Sequence, residues 1–301
     1  MVGGRLTQRW LLALLLVGLL VGCGGRAASP GGETRETLRV GLVPNQSPDK
    51  VKAQYEPFRT YLAEKLGVPV ELFVATDYNG VVEAMIANRL DLAYFGGVTY
   101  VQARSRADIY PIVTEIDRLT NTTKYTSVII VHADSQIRTM ADLHDKTFAF
   151  GDISSTSGSL YPRLMLDAAG YTLTDDPKVA PQGLKSVTYT GGHDATALAV
   201  ERGSADAGGL EERILLRAIE VGTVDKDKIR IIQRSGPIEG YPWAVRGKLD
   251  KHLVEQLANA FLEITDPDLL KLMRAEGYAR VSDQDYAYVR EQSKRFGLLA
   301  R

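Results

Sequence analysis

An α/β fold of two similarly built lobes is predicted by three features of the sequence. Strand-like and helix-like stretches alternate along the chain, as in largely parallel sheets covered by helices. One phrase occurs twice: "VVEAMIANRLDLAYFGG" and "ATALAVERGSADAGGLE" each pass through a helix, a basic residue, a small turn, an Asp, a short strand and glycines. Each copy therefore presents a Gly-rich strand end. Ligands in open α/β sheets sit beyond the carboxyl ends of strands, so two such ends facing each other make a cleft.

The elements follow in order. "TLRVGLVP" reads as a strand ending in a Pro-containing loop, and "DKVKAQYEPFRTYLAEKLG" as a helix with a Gly stop, with Pro57 marking a kink or a late start. "VPVELFVA", "LDLAYFGG" and "IYPIVTEI" are strands, with "DYNGVVEAMIANR" and "VTYVQARSRA" as the helices between them. "YTSVIIVHAD" is a β-branched strand, and "TMADLHDK" is a short helix capped by Thr139. "SVTYTGG" and "SADAGGL" are strands around the helix "HDATALAVERG"; the helix "EERILLRAIEVG" and the strand "KIRIIQRSG" follow. From Lys251 the pattern is helical, in "HLVEQLANAFLEI", "PDLLKLMRAEG" and "DQDYAYVREQSKRFG".

The first residues read as a processing signal. Arg5 and Arg9 precede the apolar run "WLLALLLVGLLVG", too short for a comfortable membrane span, and "LVGC" places small residues before Cys23. This is the pattern of a bacterial lipoprotein signal over residues 1–22, cut before a Cys23 that then carries lipid. Residues 23–37 read as a Gly/Ser/Pro tether. Cys23 is the single cysteine, which excludes an intrachain disulfide and any Cys-based metal set. Basic and acidic residues nearly balance, 36 against 37, and are interspersed, so no basic block points to nucleic acid. No P-loop, H-E-x-x-H or paired Cys/His set is present, and no metal or other cofactor is expected.

"FAFGDISSTSGSLYPRLMLDAAG" raises the chemical question. A buried-type strand, "TFAF", leads into hydroxyl residues and a glycine, and then into a helix that stops on Gly170. Free N–H groups at a helix start, added hydroxyls and the positive end of the helix dipole suit either a plain N-cap or an oxyanion seat.

In order, "VGLVP", "DYNGVVEAM", "LDLAYFGGVTYVQA", "FAFGDISSTSG", "GGHDATALAVERGSADAG" and "PWAVR" resemble the periplasmic substrate-binding proteins of phosphonate/phosphite-type ABC importers. The likeness is greatest to a branch labelled as selenate or oxyanion binders. The resemblance implies a type II periplasmic-binding fold: two lobes, mixed sheets with flanking helices, and a two-strand hinge. Lobe 1 is then 38–123 plus 236–301, and lobe 2 is 124–235. It further implies an oxyanion held by Ser155, Thr156 and Ser157, a phenolic donor from Tyr78, and a donor imidazole, neutral or charged, at His193. Tyr94, Gly97, Tyr125 and Ser127 stand at strand ends or at the first crossing and are further candidates, with Tyr241 as an aromatic wall. Glu211 is either a cleft carboxylate or the start of a solvated helix. If it points inward, it favours ligands carrying a P–OH over sulfate or selenate, which carry no proton at neutral pH. The implied partners are a permease and its ATPase, with the chain monomeric and lipid-anchored to the outside of a bacterial membrane. A sensor serving a membrane kinase, and a serine hydrolase built on Ser155 or Ser157 with His193, are the alternatives; the hydrolase lacks the G-x-S-x-G elbow.

Overall fold

The computed structural model describes residues 36–299; the signal-like run and Cys23 lie outside them. The chain opens with β1 (Leu38–Leu42), α1 (Pro48–Leu66), β2 (Val70–Val74), α2 (Tyr78–Ile86), β3 (Leu92–Tyr94), α3 (Gly97–Arg106) and β4 (Ile109–Asp117). It then crosses through β5 (Lys124–Tyr125) into β6 (Ser127–His132), β7 (Thr147–Phe150), a π turn (Thr156–Leu160), α4 (Tyr161–Ala168) and β8 (Ser186–Tyr189). The second half continues with α5 (His193–Glu201), β9 (Ala207–Glu211), α6 (Glu212–Glu220) and β10 (Ile229–Arg234). β11 (Ile238–Glu239) returns the chain to β12 (Pro242–Arg246), α7 (Lys251–Leu262), α8 (Pro267–Leu272), β13 (Ala275–Arg280) and α9 (Ala287–Arg295).

Two sheets result. The first has the order β13-β4-β12-β3-β1-β2, with β1 parallel to β2 and β3, and antiparallel pairings where β12 and β13 join. The second has the order β10-β6-β9-β7-β8, parallel through β8-β7-β9 and antiparallel at β6 and β10. The two crossing strands, β5 and β11, pair antiparallel in a ribbon of their own, so both passages between the sheets run side by side.

The first sheet packs on α1 and α7 through an aromatic cluster in which Trp243 lies 5.2 Å from Phe58 and 4.8 Å from Phe261 between ring centroids. The second sheet has smaller cores on its two faces, one around Phe148 and Phe150, the other around Val128, Ile130 and Leu215. The repeated phrase occupies equivalent places: β3 and β9 are interior strands, and each hands the chain to a helix at its carboxyl end, α3 and α6.

Two expectations change. α1 runs unbroken through Pro57. The helix expected over "PDLLKLMRAEG" stops at Leu272: Arg274 adopts φ 61°, and Ala275–Arg280 leaves as β13 to pair with β4 at the sheet edge. Helical periodicity in "AEG" is outweighed by the free edge of β4, whose unpaired backbone groups a strand can satisfy.

Gly209 lets α4 lie flush on β9, because a β-carbon there would come within 2.4 Å of Pro162 Cγ. Gly209→Val is expected to lower stability by about 1–3 kcal/mol through overpacking, read by denaturant titration.

Candidate functional site

Four helical starts converge between the sheets. α2 begins at Tyr78, α3 at Gly97, the π turn at Thr156 and α5 at His193. The helices from different lobes touch directly. Val98 N–H donates to Thr156 Oγ1 at 2.9 Å, Tyr78 N–H donates to Asp152 Oδ2 at 3.3 Å, and His193 N–H donates to the Asn45 carbonyl at 3.1 Å. The first turn of each helix has N–H groups without intrahelical partners, and these contacts supply them with acceptors from the opposite lobe.

The hydroxyl turn divides its work. Ser155 is the N-cap: its Oγ accepts from Gly158 N–H at 3.0 Å. Thr156 takes the start of α3. Ser127 Oγ donates to the Ser157 carbonyl at 2.6 Å and fixes the turn to β6. Gly158 is required for closeness, since a β-carbon there would meet Ser155 Oγ at 2.9 Å and His193 Cε1 at 3.0 Å. Ser157 Oγ, Tyr125 Oη and Asn45 Nδ2 are buried and have no hydrogen-bond partner among the described residues. The Tyr125 and Ser157 hydroxyls face each other without completing a bond. Burying an unsatisfied polar group costs roughly 1–3 kcal/mol each, so these three call for acceptors that the described residues do not supply.

His193 is a neutral donor. Burial pushes its pKa down to about 4, against the pull of Glu211. Its Nδ1 accepts from Glu211 N–H at 3.3 Å, which leaves the proton on Nε2, 3.5 Å from Tyr241 Oη and 4.0 Å from Glu211 Oε2. The charged form admitted by the sequence thus gives way to an Nε2–H imidazole.

Glu211 faces inward and is fully buried, whereas Glu212 bonds Thr126 and Arg234 at the surface. Glu211 accepts from Arg213 Nε at 2.6 Å and from Tyr241 Oη at 2.7 Å. Arg213 reaches on to Glu115 at 3.0 Å and Asp117 at 3.3 Å, and lies 4.6 Å over the Tyr125 ring. Burial alone would raise Glu211, but Arg213 and then Arg274 hold it below the ordinary carboxylate value; Glu115, where burial prevails, is raised. Tyr94 lies behind this group, stacked 5.1 Å from Tyr241 with its hydroxyl 3.4 Å from Glu115. It supports Tyr241 from behind. Asp194, beside His193, pairs with Lys50 of α1 at 2.9 Å.

Sequence reading missed Asn45, Asp152 and Arg213. Asn45 follows a strand end, the position that flags ligand contacts in such sheets. Asp152 stands directly before the hydroxyl turn, and burial raises it to about 6 despite N–H donors at Ser154 and Tyr78. Arg213 sits in an amphipathic helix with no local sign that its charge turns inward.

Residues 40–286 match the family described as ABC transporter, phosphonate, periplasmic substrate-binding protein. The chain belongs to that family. It is 30% identical over 271 residues to the phosphate-import protein PhnD of Mycolicibacterium smegmatis, covering 85% of this chain and 84% of that one. It is 29% identical to the phosphonates-binding periplasmic protein of Escherichia coli, over 76% of this chain and 67% of the relative. Among solved structures, PhnD1 of Prochlorococcus marinus in complex with methylphosphonate superposes with a TM-score of 0.76 at 23% identity, over 87% of this chain and 98% of that one. Membership gives the two-lobe periplasmic-binding fold, an extracytoplasmic location and the role of binding component in an ABC importer.

Three predictions rest on these charges. His193 should keep its Nε2–H tautomer down to about pH 5 in proton–nitrogen NMR; because its folded pKa lies below the unfolded value near 6.5, its contribution to stability is lost as pH falls toward 4. Asp152 has the opposite sign: raised to about 6, it lowers stability as pH rises through that value, so Asp152→Asn should gain melting temperature relative to wild type more at pH 8 than at pH 5. Arg213→Met should cost about 3–5 kcal/mol in chemical denaturation, since it removes the ion-pair partner of buried Glu211 and Glu115.

Proposed function

We propose that this chain captures a small phosphorus oxyanion, a phosphonate, phosphite or phosphate, between lobes 38–123 plus 236–301 and 124–235. It delivers the anion as a lipid-anchored monomer, tethered through Cys23, to a permease and its ATPase. The oxygens are taken by Ser157 Oγ, Tyr125 Oη and Asn45 Nδ2, by the N–H groups around Thr156 and Gly97, and by His193 Nε2–H, with Tyr78 closing the lobe-1 side. The observation that carries the reading is the set of buried, unpartnered donors at the meeting of four helix starts. Helix termini and neutral donors stabilise an anion without burying a second full charge.

Phosphorus is favoured over sulfur or selenium by Glu211. An ionised carboxylate 4.0 Å from the His193 donor repels a fully deprotonated dianion and accepts from a P–OH. The names of the relatives point the same way, to phosphate, phosphonates and phosphite. The hydrolase reading loses its support in the bonds the side chains make: Ser155 Oγ faces Gly158 N–H, and His193 Nδ1 faces Glu211 N–H, so no serine–histidine pair is assembled among the described residues.

Isothermal titration of the purified protein with methylphosphonate, phosphite, phosphate, sulfate and selenate tests the reading. A phosphorus anion should bind tightest, and Ser157→Ala or Tyr125→Phe should each weaken it by roughly tenfold to a hundredfold, the worth of about 1.5–3 kcal/mol for a hydrogen bond to a charged acceptor. Failure of all five anions to bind, or unchanged affinity in both variants, rejects it.

A further inference from the structure

Two adjoining cavities, of about 310 and 460 Å³, open between the lobes on the side of α6 and α8. Arg217, Lys271 and Arg274 line both of them. Arg217 comes from α6 in the second lobe; Lys271 and Arg274 come from the end of α8 and the turn after it in the first. A molecule seated there would touch both lobes at once.

The charges at this mouth are unequal. Arg217 pairs with Glu220, and Asp117 and Arg118 are paired with Arg213 and Glu276. Lys271 and Arg274 make no ion pair and no side-chain hydrogen bond among the described residues. Of the carboxylates on the cavity walls, only Asp268 lacks a cationic partner among the described residues. Arg274 is half-buried, and the turn that carries it holds φ 61°, a left-handed conformation unfavourable for a residue with a side chain. Arg274 directly follows the last turn of α8, where a left-handed residue ends the helix, and its charge is felt by Glu211 at the wall of the inner site. Gln46, on the wall of the larger cavity, directly follows Asn45. The smaller cavity adjoins the inner site through Arg213, which lines it and bonds Glu211 at 2.6 Å, and the larger through Gln46 beside Asn45.

The inner site and the outer cavities differ in kind. The inner donors are buried, neutral and close together, suited to one compact head. The outer space is wide, cationic and free of aromatic walls. An amine tail would meet repulsion there, and an alkyl tail would gain little. Resting on the reading of the inner site as a phosphorus oxyanion seat, we infer that the cavities at Arg217, Lys271 and Arg274 hold a second anionic group of the ligand, so that the preferred substrates are organophosphonates bearing a carboxylate or a further phosphate at the far end of a short chain.

The test is a calorimetric series on the full chain. Phosphonoacetate, 3-phosphonopropionate and 4-phosphonobutyrate are compared with alkylphosphonates of matching length and with methylphosphonate. At least one carboxylated member should bind about tenfold or more tightly than its alkyl counterpart, and this ratio should shrink toward one in Arg274→Gln and in the exposed Lys271→Gln. The ratio is the readout, so a general loss of affinity in a variant does not mimic the result, and Lys271→Gln covers the case in which Arg274→Gln fails to fold. Equal binding of both kinds at every length, or a preference that persists in both variants, overturns the second subsite while leaving the inner one standing. Loss of all phosphonate binding, methylphosphonate included, instead overturns the reading of the inner site itself.

Discussion

The organisation of this protein rests on the unmet hydrogen-bonding capacity of helix starts. Each helix begins with N–H groups that its own turn cannot satisfy, and four such beginnings are aimed at one point between the sheets. The chain meets part of the demand from across the gap, through Thr156, Asp152 and the Asn45 carbonyl. It leaves hydroxyl and amide donors at Ser157, Tyr125 and Asn45 without partners. These donors come from both lobes, so their spacing depends on how the lobes meet.

A site with so many donors needs a counterweight, and the Glu211–Arg213 pair provides structure at its wall. Arg213 belongs to the second lobe by sequence yet is embedded among Glu115 and Asp117 of the first, so the charge network fastens the lobes along their shared interface. Its contribution is one of specificity and position more than of stability, since burying ions costs nearly what their attraction returns. Tyr241 and Tyr125 line the same wall and keep the pair dry. Lowered Glu211 and neutral His193 are two results of one arrangement: desolvation neutralises the imidazole, while the guanidinium keeps the carboxylate charged.

The fold's economy shows in its glycines and its edge. Gly158 and Gly209 permit approaches that a methyl group would block, one at the hydroxyl turn and one beneath the helix that follows it. β13 closes the first sheet with a strand taken from a stretch of helical character, and the turn that starts it delivers Arg274 to the cleft mouth. The left-handed residue there is how α8 ends and the chain turns into the strand.

Much of this was legible in the residues alone. Alternating periodicities gave the α/β class, the doubled phrase gave two lobes, and the "SSTSGS" run after a buried strand gave the hydroxyl turn at a helix start, because those signals are local and depend on spacing. Local sequence could also name Ser155 as a cap. It could not apportion the neighbouring hydroxyls, since which of them meets the opposite lobe and which stays open depends on contacts 58 residues apart, as between Val98 and Thr156. Nor could it turn Arg213 inward, lower the pKa of His193, or make a strand of Ala275–Arg280. Burial, long-range charge and the vacancy of a sheet edge decide those, and they come into being only when distant segments are packed together.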